Sequence, residues 1–451
     1  MNKEKFSVPN ISTNLPGPKS KEIMIRKSRT FMKPRSPSKR GLAVKRSYNA
    51  MVEDLDGNAF LSFSSSINAV GSNHPRVIEA VQKQLKTSSG GAGQSVPFID
   101  YAEKLLKWLP GDLSNGKIGY TATGSEAIDL MTRLARDFTK KRIIISYHGL
   151  NFGEGTVDCS RLAGVGKHMF KGGLSPLITE ILYAPWPYCY RCPMGHNFEN
   201  CNLVCLSYFE EIFESYYPEE IVGIIIEGLP ANSGVLAPPP GYLNGLRKMC
   251  DEKGILLLVD EVFSGFGKTG KFLSVENWDI VPDIVCLGKS MGGGLPISAV
   301  ATSSDIIDKC GSIARGTVGS FSGNIVSCVA ATAVLEVMQE EQLLAKASRQ
   351  GLMIKKRLNE LSERFENIGD IRGIGFMLGI ELVEDRKTKN PANELANRIV
   401  DNAYRKGLLI RSMGRYGNNN VIRLTPHLVT TEEQINAGLS ILEESFKLAI
   451  T

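Results

Sequence analysis

Between about residues 115 and 330, short apolar runs alternate with stretches whose apolar positions recur every three or four residues. The runs Lys117–Thr121, Arg142–Tyr147, Ile221–Glu227, Ile255–Val262, Ile284–Leu287 and Ile297–Thr302 predict buried strands. Ile128, Met131, Ala135 and Phe138 mark one face of a helix after the first of them. Strands apolar on both faces, alternating with helices, predict an α/β fold around a largely parallel sheet. Beyond about residue 340 the helical spacing dominates, with helices expected at 341–365, 393–406 and 431–448 and an apolar, glycine-rich strand at Ile371–Leu382. This stretch reads as a smaller domain, which Ala50–Ser64 joins as a hairpin turning at Asp56-Gly57-Asn58. The expected boundaries are an arm at 1–45, a first part of the small domain at 46–95, a large domain at 96–345 and the remainder of the small domain at 346–451. No period of about 20 to 50 residues repeats, which excludes solenoids and propellers.

Composition narrows the class. At 451 residues, 42% hydrophobic and 22% charged, the chain has material for a large core, and no apolar run reaches the roughly 18 residues that cross a bilayer. The net charge of +6 hides an asymmetry, because residues 1–50 carry 13 Lys or Arg against Glu4 and Glu22 alone. That arm, with Lys33, Arg35, Lys39 and Arg40 among prolines and serines, suits nucleic acid or an anionic surface. A solvated or dimer-clasping arm is the commoner use of such a segment, so a nucleic-acid partner is not expected. No apolar segment of secretory type opens the sequence and the prolines oppose a transit helix, so a cytoplasmic protein is expected. Of nine cysteines, five stand singly in apolar or helical contexts. Cys189, Cys192, Cys201 and Cys205 cluster with His196 in an insertion at 186–206. Their spacing approaches that of a structural zinc or iron–sulfur site, against the alternative of packed thiols or a disulfide in a rigid loop.

Several motifs fail as nucleotide sites. Val259-Asp260-Glu261 could hold a metal, but the two Gly-Lys-Ser/Thr triplets, at Gly288 and Gly267, lack the glycine a phosphate loop places upstream. Gly265-x-Gly267-x-x-Gly270 is followed by no helical period, so it opens no helix on which a pyrophosphate would rest. Other residues combine better. Gly124-Ser125 opens a helix whose free N–H groups suit one phosphate. Lys289, at a strand end beside a glycine-rich turn, is placed to be partly desolvated, which lowers an amine's pKa and readies it for a Schiff base. With Tyr147 to cover a ring face and Asp260 to pair with a ring nitrogen, these are the groups pyridoxal 5'-phosphate needs.

The order of these motifs resembles the class III pyridoxal-phosphate aminotransferases, the family of ornithine, acetylornithine and 4-aminobutyrate aminotransferases. The resemblance runs from about Glu53 to Leu448 through Thr123-Gly124-Ser125-Glu126-Ala127, Tyr147-His148-Gly149, Asp260-Glu261-Val262, Lys289 and Ser320-Phe321-Ser322-Gly323-Asn324. Leu15-Pro16-Gly17-Pro18 is most similar to an archaeal branch that includes amino-acid racemases. The resemblance implies fold type I, with a mainly parallel seven-stranded sheet in the large domain and a smaller α+β domain. It also implies a homodimer or an assembly of dimers in which Ser320 reaches the partner's phosphate. His148 would join the cofactor site, Val262 would pack on the ring opposite Tyr147, and Arg423 would hold the substrate's α-carboxylate.

Departures from the family pattern bear on the substrate. Asn232 replaces the glutamate that usually gates the carboxylate arginine, implying a fixed, exposed Arg423. Leu150 and Phe263 replace a usual arginine and glutamine, implying a more apolar pocket and weakening a 4-aminobutyrate assignment. The expected activity is amino transfer from an amino acid or related amine to a 2-oxo acid through Lys289. A racemase, epimerase or aminomutase on the same fold is the alternative, and a non-catalytic protein binding through its basic arm is a remote one.

Overall fold

The computed structural model describes residues 8–32, 40–65, 67–90, 95–164, 180–314, 316 and 318–450. The chain opens with a basic helix, Pro18–Thr30, followed by the strands Val44–Tyr48 (β1), Met51–Asp54 (β2) and Ala59–Ser62 (β3). The expected hairpin is β2–β3, and its turn does more than reverse the chain. Asp56 accepts the Lys19 and Ser20 amides at 2.8 and 2.9 Å, capping the basic helix from another element. A Cβ at Gly17 would lie 2.3 Å from the Asp56 Cγ, so the approach requires glycine. Residues 18–30 of the basic arm form a helix pinned at its first turn by Asp56, with Ser20 its one buried residue. Arg40 pairs with Asp401 at 3.4 Å, while Lys33, Arg35 and Lys39 lie outside the described residues. No helix among the described residues is long and apolar enough to cross a membrane.

The large sheet is built from Lys117–Thr121 (β4), Ile143–His148 (β5), Ile181–Pro185 (β6), Ile221–Glu227 (β7), Leu256–Asp260 (β8), Ile284–Leu287 (β9) and Ser298–Thr302 (β10). Their order is β4-β10-β9-β8-β7-β5-β6, with β10 antiparallel to both neighbours. All of β7, β8 and β9 is buried, as continuous apolar runs covered by helices on both faces require. The carboxyl ends of β4, β5, β7, β8 and β9 meet along one edge, where a doubly wound sheet binds its ligand.

The C-terminal region adds Ile368–Ile374 (β11), Met377–Leu382 (β12), Leu408–Leu409 (β13), Arg411–Met413 (β14) and Val421–Leu424 (β15). The strand expected at Ile371–Leu382 is thus a hairpin. Gly375 supplies the left-handed corner (φ 59°), pressed so closely on the Lys268–Thr269 backbone that the apolar run gives no sign of the turn. β13 continues the N-terminal sheet beside β3, and β11-β12-β15-β14 form a third sheet.

A buried carboxylate ties these parts together. Glu381 on β12 accepts Arg372 Nη1 at 2.6 Å, Arg191 Nη2 at 2.8 Å and the Tyr188 hydroxyl. Arg372 Nε also donates to the Gly234 carbonyl at 2.9 Å. One side chain so joins the third sheet, the cysteine-bearing insertion and the loop 231–237. Around it the nine cysteines are free. No three His, Cys, Asp or Glu side chains converge as a metal site among the described residues. Cys189, Cys192, Cys201 and Cys205 nonetheless lie close enough together that, after burial, the other three raise the Cys205 thiol. Their near-ligand spacing is spread over two separate 3-10 turns and the start of helix Val204–Ser215. Removing Glu381 takes the buried acceptor from Arg372, which keeps Asp370 at 2.7 Å, and from the half-buried Arg191, so Glu381→Ala lowers stability by roughly 1–3 kcal/mol in denaturant titration; an unchanged midpoint contradicts the network.

Candidate active site

β7 and β8 run side by side in a register that sets Glu227 beside Asp260 at the sheet's carboxyl edge. Asp260 opens onto a cavity of about 290 Å³ that Lys289, Val262, Asn232 and the helix start Thr123-Gly124-Ser125 also line. Each wall follows from local sequence. The helix Gly124–Thr139 begins in a capping box, with Thr123 Oγ1 accepting the Glu126 amide while Glu126 accepts the Thr123 amide. The amides of Gly124 and Ser125, one step further in, have no helical acceptor and suit an anion. A Cβ at Gly124 would lie 2.7 Å from Val262 Cγ1, and one at Gly153 would lie 2.6 Å from Ser125 Oγ, so side chains there would fill the cradle. Lys289 sits in the left-handed region (φ 45°), a conformation that a non-glycine residue holds only when its surroundings enforce it.

Burial dominates the electrostatics. It raises Asp260 from 3.8 to about 6, against the pull of Lys289 and the Val262 amide, which donates to Asp260 Oδ1 at 2.8 Å. It raises Glu227 to about 8, helped by Asp260 and opposed by the Asn151 amide at 2.8 Å. Burial also lowers the Lys289 amine, which Asp260 and Glu227 partly restore. Asp260 and Lys289 feel each other's charge yet form no ion pair, and the cavity lies between them. An anion cradle, an amine with lowered pKa and a carboxylate on the opposite wall fit pyridoxal 5'-phosphate.

The sequence-predicted residues do not all reach this cavity. Tyr147 is buried behind the sheet: β5 alternates its side chains, and the face bearing Ile145 and Tyr147 packs on helices, with Tyr147 Oη 3.0 Å from that of Tyr242 and its ring edge-on to Trp186 and Phe209. Its expected place on a ring face is taken by no part of its side chain, whereas Asn151 and Phe152 from the following loop do line the cavity. His148 turns outward and stacks on Tyr183 at 5.2 Å. Leu150 is fully buried in the core and lines nothing. Arg423, expected to be exposed, is buried at 3% exposure because β15 lies inside the third sheet, and its Nη1 donates to Asn232 Oδ1 at 3.0 Å. Phe263 packs with Leu229, Ala231, Val235 and Met377. It is no plain apolar wall, because Lys289 Nζ, Lys268 Nζ and Arg423 Cζ lie 4.8, 4.6 and 4.6 Å from its ring centre. Ser320 stands on an exposed segment beside Phe321 and away from this cavity. Sequence reasoning missed Glu227 as a partner of Asp260, although a single acid ending a wholly apolar strand was its signal.

Residues 32–446 match the aminotransferase class III family, and the chain belongs to it. Its fold is that of the type I pyridoxal-phosphate enzymes. A leucine/methionine racemase of Thermococcus litoralis is 34% identical over 95% of each chain. A 5-aminovalerate aminotransferase of Pseudomonas aeruginosa is 35% identical over 90% of this chain and 93% of its own. An amine transaminase from an uncultivated Pseudomonas species, solved in its PLP-bound form, has a TM-score of 0.83 at 26% identity, covering 93% of this chain and 99% of that one.

Glu227 makes stability depend on pH. The folded chain keeps its proton up to about pH 8, while an unfolded one releases it near the ordinary 4.5. Its contribution is complete below the lower value and is lost as pH rises through the upper one. Glu227→Gln lacks this slope, so between pH 5 and 8 wild type loses stability relative to the variant by up to about 1.4 kcal/mol per pH unit. Denaturant midpoints of both proteins at three pH values check this, and parallel curves contradict the buried, protonated carboxyl.

Proposed function

We propose that the chain moves an amino group from an α-amino acid to a 2-oxo acid, as a homodimer in the cytoplasm. The observation that carries this reading is the shared cavity of Lys289, Asp260 and the Gly124-Ser125 helix start. Pyridoxal phosphate, when bound, supplies a ring that accepts electrons from the substrate carbon beside the nitrogen. Gly124 and Ser125 hold its phosphate from the helix terminus, and Asp260, kept from water, holds a proton on the ring nitrogen. Val262, wedged between the helix start and the Lys289 turn, offers an apolar contact to the ring. Lys289 Nζ anchors the cofactor, yields to the substrate amine and then takes the proton from Cα. Its lowered pKa leaves more of the amine free to accept that proton. Arg423 receives the α-carboxylate, and Asn232 holds the guanidinium by a neutral amide, so both half-reactions meet the same positive charge. Ser320, exposed on this protomer, serves the partner's phosphate.

Racemisation would need a second acid or base across the substrate from Lys289. Of the remaining protonable groups on the cavity wall, Asp260 is engaged by the ring nitrogen. Glu154 lies between Gly153 and Gly155, at the Ser125 end. Asn232 cannot exchange a proton at neutral pH. The wall therefore favours amino transfer.

Loaded enzyme given single L- or D-amino acids without an oxo acid loses its yellow colour and releases one equivalent of 2-oxo acid. Persisting colour with loss of optical purity instead makes it a racemase. Lys289→Ala removes turnover in this assay, and near-native rates in that variant contradict the assignment. Asn232→Glu places a carboxylate against Arg423 and raises KM for an α-amino acid about tenfold or more, with a smaller change for an amine lacking the carboxylate. Equal changes for both would place the carboxylate elsewhere.

A further inference from the structure

The insertion at 186–206 is tied down on one side and bare on the other. Tyr188 and Arg191 meet Glu381, and Lys389 Nζ donates to the Tyr190 carbonyl at 3.0 Å. From Pro193 to Asn200, by contrast, every residue except Met194 is exposed. Two turns shape this stretch, the Gly195 amide donating to the Cys192 carbonyl at 3.1 Å and the Asn200 amide to the Asn197 carbonyl at 3.2 Å. A segment so short and so exposed buries too little apolar surface to hold its own shape.

Its cysteines stand at the corners. Cys189 opens the first 3-10 turn and Cys192 closes it; Cys201 closes the second, and Cys205 lies in the first turn of the helix Val204–Ser215. Cys189 and the second turn's Asn197, Phe198 and Glu199 line one hollow of about 560 Å³, so the two turns face each other across it. From Cys201 the chain enters the helix through Asn202 and Leu203, both left-handed (φ 44° and 57°), a conformation that side-chain-bearing residues hold only where their surroundings enforce it. Beyond that corner the Cys205 thiol comes within electrostatic reach of the other three. Burial and these neighbours push it up to about 12, and burial with Cys201 and Cys192 pushes Cys189 up to about 11. As they stand, the thiols are neighbours and not a closed ligand set. One torsion positions each sulfur, and Cys189 is exposed while Cys192 and Cys201 are half-buried, so three of the four turn without displacing the core. Four sulfurs, each opposing the ionisation of the next, suit a cation that replaces their protons and turns repulsion into shared attraction.

We propose that Cys189, Cys192, Cys201 and Cys205 close as four thiolates on one thiophilic divalent cation, zinc. Their pairs are spaced C-x2-C and C-x3-C, which lets a single turn offer two sulfurs to one ion, and a tetrahedral set of four sulfurs is what zinc takes at structural sites. Each thiol gives up its proton to solvent as its sulfur binds. The thiolates leave the site net negative, and Lys389 stands on the wall of the same hollow. The ion has a mechanical consequence, because Arg191 lies between Cys189 and Cys192 and its guanidinium meets Glu381 at 2.8 Å. Fixing that turn braces the insertion against the third sheet, whatever reaction the enzyme carries out.

The test uses the cofactor-loaded enzyme, isolated without oxygen, stripped with a chelator and dialysed against zinc. Wild type is expected to retain one zinc per chain with a Kd below about a micromolar. Loaded with cobalt(II) instead, it shows the intense red-region bands of tetrahedral thiolate coordination, clear of the cofactor's own absorption. Cys189→Ser and Cys205→Ser each weaken zinc about a hundredfold or more, whereas Cys310→Ser, which alters a thiol outside the insertion, binds as wild type does. Affinities are compared in variants that keep the yellow cofactor and are therefore folded, and the wild-type measurement stands without them. Wild type that retains no zinc, Cys189→Ser and Cys205→Ser variants that bind it undiminished, iron with acid-labile sulfide in its place, or a disulfide among these four cysteines in the oxygen-free protein overturns the proposal.

Discussion

Charge held out of water without a partner is the constraint on which this molecule turns. Lys289, Asp260, Glu227, Lys268 and Arg423 all lie inside the protein, and none of them forms an ion pair among the described residues. Burial of that kind is normally ruinous, because an isolated ionised group in a low dielectric loses its hydration without recompense. The structure answers by shifting protonation: Glu227 keeps its proton to about pH 8, and burial holds the Lys268 amine well below the ordinary lysine range. Asp260 and Lys289 keep their remaining charge on the wall of one cavity. The large sheet exists in this view to deliver carboxylates and a lysine to one edge. The third sheet delivers the arginines.

Phe263 is the joint between these two deliveries. A glutamine at that position could have hydrogen-bonded a neighbour, but a ring offers its faces to cations without neutralising them. Three basic side chains rest against it. The loop 231–237 carries Asn232 to the same place. Arg372 fastens that loop through the Gly234 carbonyl, and Glu381 fixes Arg372 in turn. The loop that sets Asn232 against Arg423 is therefore held at second hand by a buried carboxylate on β12, which Tyr188 and Arg191 of the cysteine-bearing insertion also meet. This gives the insertion a structural purpose.

The sequence made the α/β class legible because buried parallel strands leave continuous apolar runs; Ile221–Glu227 and Ile284–Leu287 coincide with β7 and β9. It made Lys289, Asp260 and Gly124-Ser125 legible because each marks a strand or helix end, where the chain itself says that chemistry is exposed. Tyr147 and Leu150 were not legible in the same way. Which face of β5 a side chain takes depends on the pleat and on the helices that cover it, and Tyr147 went to Tyr242 and Trp186. Arg423, expected toward solvent, is buried, since a strand's position within its sheet is a long-range fact. The hairpin at Gly375 was hidden for a related reason, its turn being set by contact with the Lys268–Thr269 backbone and not by polar turn residues.

The same distinction explains why substrate class is harder to read than cofactor. The residues that suit the cofactor follow the carboxyl ends of β4, β8 and β9 of one sheet, at spacings fixed by the fold. Arg423 stands in a different sheet, and Asn232 reaches it from a loop 191 residues away in sequence. Asn232 completes the logic. With a glutamate there, Arg423 would have an internal counter-charge. With an amide, Arg423 has an acceptor at 3.0 Å but no counter-charge, so the positive charge at this end of β15 is left unneutralised from within.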